Sequence, residues 1–155
     1  MIRPLVVLSL VASPLVAQTV AYPEGYRNWR HVSSMVISPG HPLYESFGGI
    51  HHLYANPAAV AGYRQGRFPN GSVIVFDLLE AKTEGNATTA GDRKVVGVMV
   101  KNSRRFAATG GWGFEGFKGD TRERAVGNQA ATACFSCHQA EKARDYVFSQ
   151  LPGGK

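Results

Sequence analysis

Short apolar runs, separated by glycine and proline, predict a sheet. The clearest run is residues 72–80, which are apolar on both faces of the strand and therefore predict a central position in the sheet. Trp112, Phe114 and Phe117 lie among glycines and predict a further strand, with a bulge near Gly116. The other predicted strands are residues 32–37, 50–54 and 94–100.

One short helix is marked at both of its ends. Asn56 is a typical N-cap, Pro57 suits the first helical position, and Gly66 suits the position after the last turn, so we expect a helix over residues 58–65. Residues 82–92 are polar and rich in glycine, threonine and asparagine. That composition predicts a loop.

The chain changes character in residues 125–151, which are rich in alanine. Ala143, Val147 and Leu151 repeat there at helical spacing and predict a C-terminal helical segment. The predicted fold class is therefore α+β, a mainly antiparallel sheet with short flanking helices and a helix near the C-terminus.

The N-terminus predicts export. Arg3 precedes a mostly apolar stretch over residues 5–17, which is the arrangement of a secretory signal peptide and is too short for a membrane-spanning helix. Cleavage is expected after Ala17 or Ala21. With the second site, residues 1–21 are the signal peptide, residues 22–155 form a single domain, and the mature protein is periplasmic.

Composition and charge exclude several classes of protein. With 44% hydrophobic residues and only 2 cysteines among 155 residues, the chain is neither disordered nor a disulfide-rich scaffold. The formal net charge of +6 comes from scattered basic residues rather than from a basic block. We therefore expect no nucleic acid partner, and the surplus is compatible with an acidic redox partner protein.

The two cysteines lie in one motif, Cys134-Phe135-Ser136-Cys137-His138. Two thiols at this spacing can each add to one vinyl group of a haem, and the next residue can offer its imidazole to the iron. A disulfide leaves the histidine unexplained, a thioredoxin-like pair belongs after an early strand, and a zinc site needs further ligands. The motif therefore predicts one covalently attached haem c per chain, with Cys134 and Cys137 as the attachment sites and His138 as the iron ligand.

The sixth position of the iron then decides the function. A strong protein ligand there gives an electron carrier, whereas an open position gives a site for a small ligand. His51 and His52 are neighbours on a predicted strand, so only one of them can face the haem. The candidate ligands are Met35, Met99, His31, His41, His51 and His52.

The C-terminal CxxCH, together with residues 50–56 (IHHLYAN) and 68–79 (FPNGSVIVFDLL), resembles the cytochrome P-460 / cytochrome c′-beta family. The likeness covers nearly all of the chain after the predicted signal peptide. It implies a mainly antiparallel β fold, often dimeric, with a five-coordinate haem. It also implies that one position on the strand after Pro69-Asn70-Gly71 separates two branches of the family.

In the P-460 branch, that position is a lysine cross-linked to the haem, and the protein oxidises hydroxylamine. In the c′-beta branch it is a phenylalanine in an apolar distal pocket, and Phe76 is the residue that matches it here. Lys82 is the nearest downstream lysine, but it falls outside the apolar run. The enzymatic branch has a proton-moving distal glutamate that Glu115 could match, although a solvent-facing Glu115 is the expectation from the sequence. Further candidates to line the pocket are Phe47, Trp112, Phe114 and Phe117.

These observations predict an exported mono-haem c-type cytochrome that binds nitric oxide or a similar small ligand at an apolar distal site. Two alternatives stay open: hydroxylamine oxidation of the P-460 type, and electron transfer to a partner protein. The family resemblance further implies a homodimer.

Overall fold

The structure is a computed structural model that describes residues 19–153. One sheet of five antiparallel strands forms its centre, with the strands in chain order β1-β2-β3-β4-β5. The strands are β1 Arg30–Ile37, β2 Gly49–Ala55, β3 Val73–Glu84, β4 Ala87–Lys101 and β5 Trp112–Lys118. The α-helices are α1 Tyr44–Phe47, α2 Pro57–Gln65 and α3 Ala130–His138. Short 3-10 helices lie at Tyr26–Asn28, Ala107–Thr109, Gly127–Gln129 and Gln139–Arg144.

The predicted α+β class is confirmed, and so is the central place of the third strand. β3 lies between β2 and β4, and its residues from Ile74 to Leu79 are buried or half-buried on both faces. The helix predicted at residues 58–65 is also present. Its Asn56 Oδ1 accepts a hydrogen bond from Ala59 N at 2.9 Å, and Gly66 ends it in the left-handed region at φ 71°.

Residues 82–92 are not a loop, as their composition predicted, but the outer half of the β3–β4 hairpin. Gly85 and Asn86 form its two-residue turn with φ of 55° and 64°, which suits the twist of a hairpin. The hydroxyl groups of Thr83 and Thr88 form a hydrogen bond of 2.9 Å across the two strands. Both strands are polar here because the hairpin extends beyond the core and both of its faces meet water.

The bulge expected near Gly116 is absent: β4 and β5 pair without a register shift from Val95 to Lys101. Gly116 stands directly opposite Gly97 on β4. A pair of glycines on neighbouring strands removes two side chains from one face of the sheet and leaves the backbone ladder regular. The strand pair therefore has no kink, and Val126 takes the room at Gly116, where its Cγ2 would lie 3.1 Å from an added Cβ.

Apolar clusters cover both faces of the sheet. On the helix side, Ile74 and Phe114 pack with half-buried residues of α3 and with Val147 from the C-terminal segment. On the opposite side, Val75, Val96 and Phe117 pack with Val20 and Tyr26 from the N-terminal segment. This arrangement places the CxxCH motif on the face that carries Ile74.

The C-terminal segment is helical only in part. After α3 and the 3-10 helix Gln139–Arg144, the chain turns at Asp145 and Tyr146, which have φ of 53° and 66°. The helical spacing of Ala143, Val147 and Leu151 therefore does not mark a helix. Val147 is nevertheless buried, because the turn brings the chain back onto the sheet. No helix in residues 19–153 is long and apolar enough to cross a membrane.

Candidate haem-binding site

The two cysteines lie one turn apart on α3, as free thiols. Cys134 is half-buried against the helix-side cluster, and Cys137 is exposed. Burial raises the pKa of the Cys134 thiol, and the nearby Glu115 carboxylate raises it further. Residues three apart on a helix face the same way, so both thiols can reach one ligand.

His138 ends α3 and carries the geometry of a metal ligand. Its Nδ1 lies 2.7 Å from the carbonyl oxygen of Tyr146. A carbonyl can only accept, so Nδ1 carries the proton and Nε2 keeps a free lone pair, which is the tautomer a metal-binding histidine needs. Phe114 and Phe148 flank the imidazole, with ring centroids 5.0 and 4.9 Å away. Burial in this apolar setting lowers the pKa of His138.

The carbonyl that accepts this bond belongs to the turn at Asp145 and Tyr146. Both residues are left-handed, which costs a residue with a side chain about 1–2 kcal/mol. Local backbone hydrogen bonds hold the turn, among them one from Tyr146 N to the Glu141 carbonyl at 2.8 Å, and three further bonds reach Asp145 from distant parts of the chain. Lys101 Nζ donates to Asp145 Oδ1 at 2.6 Å, Phe68 N donates to Oδ2 at 2.9 Å, and Trp112 Nε1 donates to the Asp145 carbonyl at 2.8 Å.

Phe76 lies on the same face of β3 as Ile74, and hence on the face that α3 covers in part. Its ring contacts Phe47 and His51, with centroids 5.7 and 4.6 Å away. Its neighbour on β4 is Gly97, where the three atoms nearest to an added Cβ would all belong to Phe76, at 3.4–3.7 Å. We call Phe47, His51, Phe76 and Gly97 the apolar shelf.

His51 and His52 face opposite sides of the sheet, as strand alternation predicts. His51 is only 5% exposed, and its Nδ1 has no hydrogen-bond partner. Burial lowers its pKa, and the neighbouring His52 lowers it further. His52 instead shares the hydroxyl of Ser34 with His31 through hydrogen bonds of 2.7 and 2.8 Å.

The remaining candidate ligands are Met35, Met99 and His41. Both methionines lie on the sheet face that carries the shelf, since Met35 pairs with His51 and Met99 with Ile74. Met99 packs in the helix-side cluster, whereas Met35 is 48% exposed on the edge strand β1. His41 is exposed, and its Nδ1 accepts a hydrogen bond from Leu43 N at 3.1 Å.

Of the predicted lining residues, Phe47 contacts Phe76, and Phe114 contacts His138. Trp112 is fully buried beneath the turn at Asp145, where its indole N–H donates to the carbonyl. Phe117 belongs to the cluster on the other side of the sheet.

Glu115 is 5% exposed, so the expectation that it faces solvent is wrong. The edge of β5 is covered by the segment that follows it, and that segment supplies partners for the carboxylate. Oε2 accepts from Arg124 at 2.6 Å, while Oε1 accepts from the backbone of Gly116 and Gly127 at 2.9 and 3.0 Å. Burial alone would raise its pKa, but these bonds outweigh burial and hold the pKa below its usual value. A catalytic role for Glu115 stays a prediction.

Lys82, the lysine nearest downstream of Phe76, lies on the outer half of the hairpin. Its side chain is 60% exposed, and its Nζ is 3.7 Å from Glu80 Oε2. It therefore belongs to the solvated part of the sheet, and not to the shelf.

These residues together fit a haem. Two thiols at the right spacing, an imidazole with its Nε2 available, and the apolar shelf lie on one side of the sheet. A fold with this site belongs to the class of c-type cytochromes.

The comparison with protein families is more specific. The family described as Cytochrome P460 matches residues 23–149. The chain therefore belongs to the cytochrome P460 family, and its cofactor is a haem with its iron. No curated protein compared with the chain matches it.

Proposed function

We propose that this protein is an exported mono-haem cytochrome that binds nitric oxide or a similar small, neutral ligand. Cys134 and Cys137 hold one haem per chain through two thioether bonds, and Nε2 of His138 ligates the iron. When bound, the haem supplies an iron with one open coordination position. The residues of the chain then decide which ligand can approach that position.

The apolar shelf carries this proposal, and above all Phe76. The family resemblance implies that Phe76 stands at the position that holds a lysine in the hydroxylamine-oxidising branch. An apolar ring gives no hydrogen bond to a polarised ligand such as dioxygen, and it disfavours anions, whereas it tolerates neutral diatomics. The lowered pKa of His51 fits the exclusion of anions, because an imidazole that resists protonation offers them less positive charge.

The experiment is stopped-flow binding of nitric oxide and carbon monoxide to the ferrous protein. Phe76 makes two aromatic contacts, each worth about 0.5–1.5 kcal/mol. If an entering ligand must displace the ring, Phe76→Leu speeds association by about tenfold, the equivalent of ~1.4 kcal/mol. Phe117→Leu removes a ring from the opposite face and is the matched control. Equal on-rates in the wild type and Phe76→Leu would remove Phe76 from the pocket.

A second candidate function is electron transfer, and one observation favours it. His51 is a buried imidazole with an unpartnered nitrogen on the face that carries Phe76. As a sixth ligand it would give a low-spin spectrum that His51→Leu converts to high spin. A high-spin wild-type spectrum excludes His51 as a sixth ligand and removes the observation that favours this alternative. A strongly red-shifted ferrous Soret band would instead indicate a lysine–haem cross-link, and with it hydroxylamine oxidation.

Export to the periplasm is part of the proposal. The predicted apolar stretch at residues 5–17 lies outside the described residues. Val20, however, is 4% exposed and packs against the sheet, and the carbonyl of Thr19 accepts a hydrogen bond from Arg105 at 2.7 Å. Cleavage after Ala17 keeps these contacts, whereas cleavage after Ala21 removes them. The intact mass of the purified holoprotein distinguishes the two sites and gives the number of haems per chain.

Homodimer formation also belongs to the proposal. The edge strand β1 exposes Met35 and Val36, which are 48% and 51% accessible. Such an apolar edge is a template for pairing with a second copy. Light scattering on the holoprotein measures the assembly directly, and a monomer at all concentrations would exclude the dimer.

A further inference from the structure

The proximal side of the site contains an ion pair that the proposed function leaves unused. Lys101 and Asp145 have side chains only 9% and 16% exposed, and the two residues are far apart in the chain. Lys101 Nζ also donates to the carbonyl of Gly110 at 3.0 Å and lies 5.0 Å from the centre of the Trp112 ring. We call Lys101, Trp112 and Asp145 the proximal clamp.

The clamp acts on the backbone beside the haem ligand. Trp112 donates a hydrogen bond to the carbonyl of Asp145, and Lys101 donates one to its carboxylate. Both the backbone and the side chain of Asp145 are therefore fixed. The next carbonyl along the chain is that of Tyr146, which accepts the proton of His138 Nδ1. Tyr146 has no intrinsic preference for its left-handed conformation, so the position of this acceptor depends on two things: the local bond from Tyr146 N to the Glu141 carbonyl, and the bonds that fix Asp145.

We propose that Asp145 is a positioning residue for His138. By holding the turn, it aims the Tyr146 carbonyl at Nδ1 and so sets the orientation and the basicity of the imidazole. This proposal rests on the part of the proposed function in which His138 ligates the haem iron. It does not depend on which small ligand the protein binds.

The direction of the effect follows from the hydrogen bond. A strong bond from Nδ1–H to a carbonyl increases the electron donation of the imidazole. Weakening it lowers the iron–histidine stretching frequency of the ferrous protein. It also favours the ferrous state, because less donation disfavours the higher charge, and therefore the midpoint potential rises.

The test compares three variants of the full holoprotein by resonance Raman spectroscopy and redox titration. Asp145→Ala removes both carboxylate bonds, whereas Asp145→Asn keeps an acceptor and tolerates the left-handed conformation. Trp112→Phe removes the indole donor and keeps a smaller aromatic ring at this fully buried position. We expect a lower iron–histidine frequency and a higher midpoint potential in all three, with the largest shifts in Asp145→Ala and smaller ones in Asp145→Asn.

A matched control separates positioning from loss of stability. Asp77 forms a buried ion pair with Arg93, and its side chain lies on the opposite side of β3 from Phe76. Asp77→Asn should lower the unfolding temperature and leave the iron–histidine frequency and the potential unchanged.

The proposal is overturned if Asp145→Ala and Trp112→Phe match the wild type in both measurements, or if Asp77→Asn shifts them equally. If Asp145→Ala does not fold, Trp112→Phe and Asp145→Asn decide. A wild type that binds no nitric oxide would refute the proposed ligand and leave this comparison intact.

Discussion

The buried carboxylate of Asp77 gives the sharpest stability prediction. Asp77 is 2% exposed on the sheet face opposite the apolar shelf. Arg93 donates to it from Nε, 2.5 Å from Oδ1, and from Nη2, 3.3 Å from Oδ2. Arg27 Nε lies 3.8 Å from Oδ2. Burial would lower the pKa of Arg93, but Asp77 more than offsets burial and raises it. Arg93 therefore keeps its charge in the folded protein and depends on Asp77 for compensation.

Asp77→Ala leaves the Arg93 charge buried without its main partner. Removing one member of a buried ion pair costs about 3–5 kcal/mol. For a domain of this size, each kcal/mol lowers Tm by about 3–4 °C, so the expected loss is roughly 9–20 °C. The remaining contact between Arg93 and the exposed Asp120 should place the result toward the lower end.

Thermal unfolding followed by far-ultraviolet circular dichroism measures this loss. The control is Glu123→Gln, which breaks the exposed pair with Lys118 and should change stability by no more than about 1 kcal/mol. Replacing Asp77 and Arg93 together by leucine should recover much of the loss, because no buried charge is then left alone. A drop of less than about 3 °C in Asp77→Ala would refute the reasoning.

Two further predictions concern the helix side of the sheet. Asn56→Ala should lower stability by about 1–2 kcal/mol, measured as a lower urea midpoint, since Asn56 Oδ1 accepts from both Ala59 N and Val73 N; an unchanged midpoint would contradict the capping role. His51 has a lowered pKa, so the unfolded chain takes up its proton first as the pH falls. Stability should therefore be full above about pH 6.5 and decline below it. The decline should be shallower in His51→Leu, and equal pH profiles would refute this.

Much of the fold could be predicted because burial leaves a pattern in the sequence. The central strand β3 is apolar on both faces over the length that the core covers, and α2 is marked by Asn56 and Gly66. The outer hairpin left no such pattern. Its strands are held by the backbone ladder and by threonine pairs, so their polar composition resembled that of a loop.

The residues of the site also fall into those that a sequence pattern reveals and those that only the fold brings together. The CxxCH motif is visible because its chemistry needs three residues in sequence at fixed spacing. The proximal clamp cannot be seen in the sequence, since Lys101 and Asp145 are far apart in the chain and only the fold brings them together. The acceptor for His138 is a backbone carbonyl, and every residue type has one, so the sequence cannot indicate which residue supplies it. The burial of Glu115 was also hidden, because it depends on how the segment after β5 returns along the sheet edge.

Adjacent residues of β3 link stability to the site. Phe76 belongs to the apolar shelf, and Asp77 pairs with Arg93 on the other face of the sheet. A slip of one residue in the β3–β4 register would exchange the faces of Phe76 and Asp77. Asp77 would then present an uncompensated carboxylate to an apolar surface, and Arg93 would lose its partner. Both effects would destabilise the shifted register. The Asp77–Arg93 pair therefore also favours the register in which Phe76 stands opposite Gly97. A double replacement by leucine should therefore keep the fold stable while making the position of Phe76 less uniform, seen as broadened carbon monoxide stretching bands.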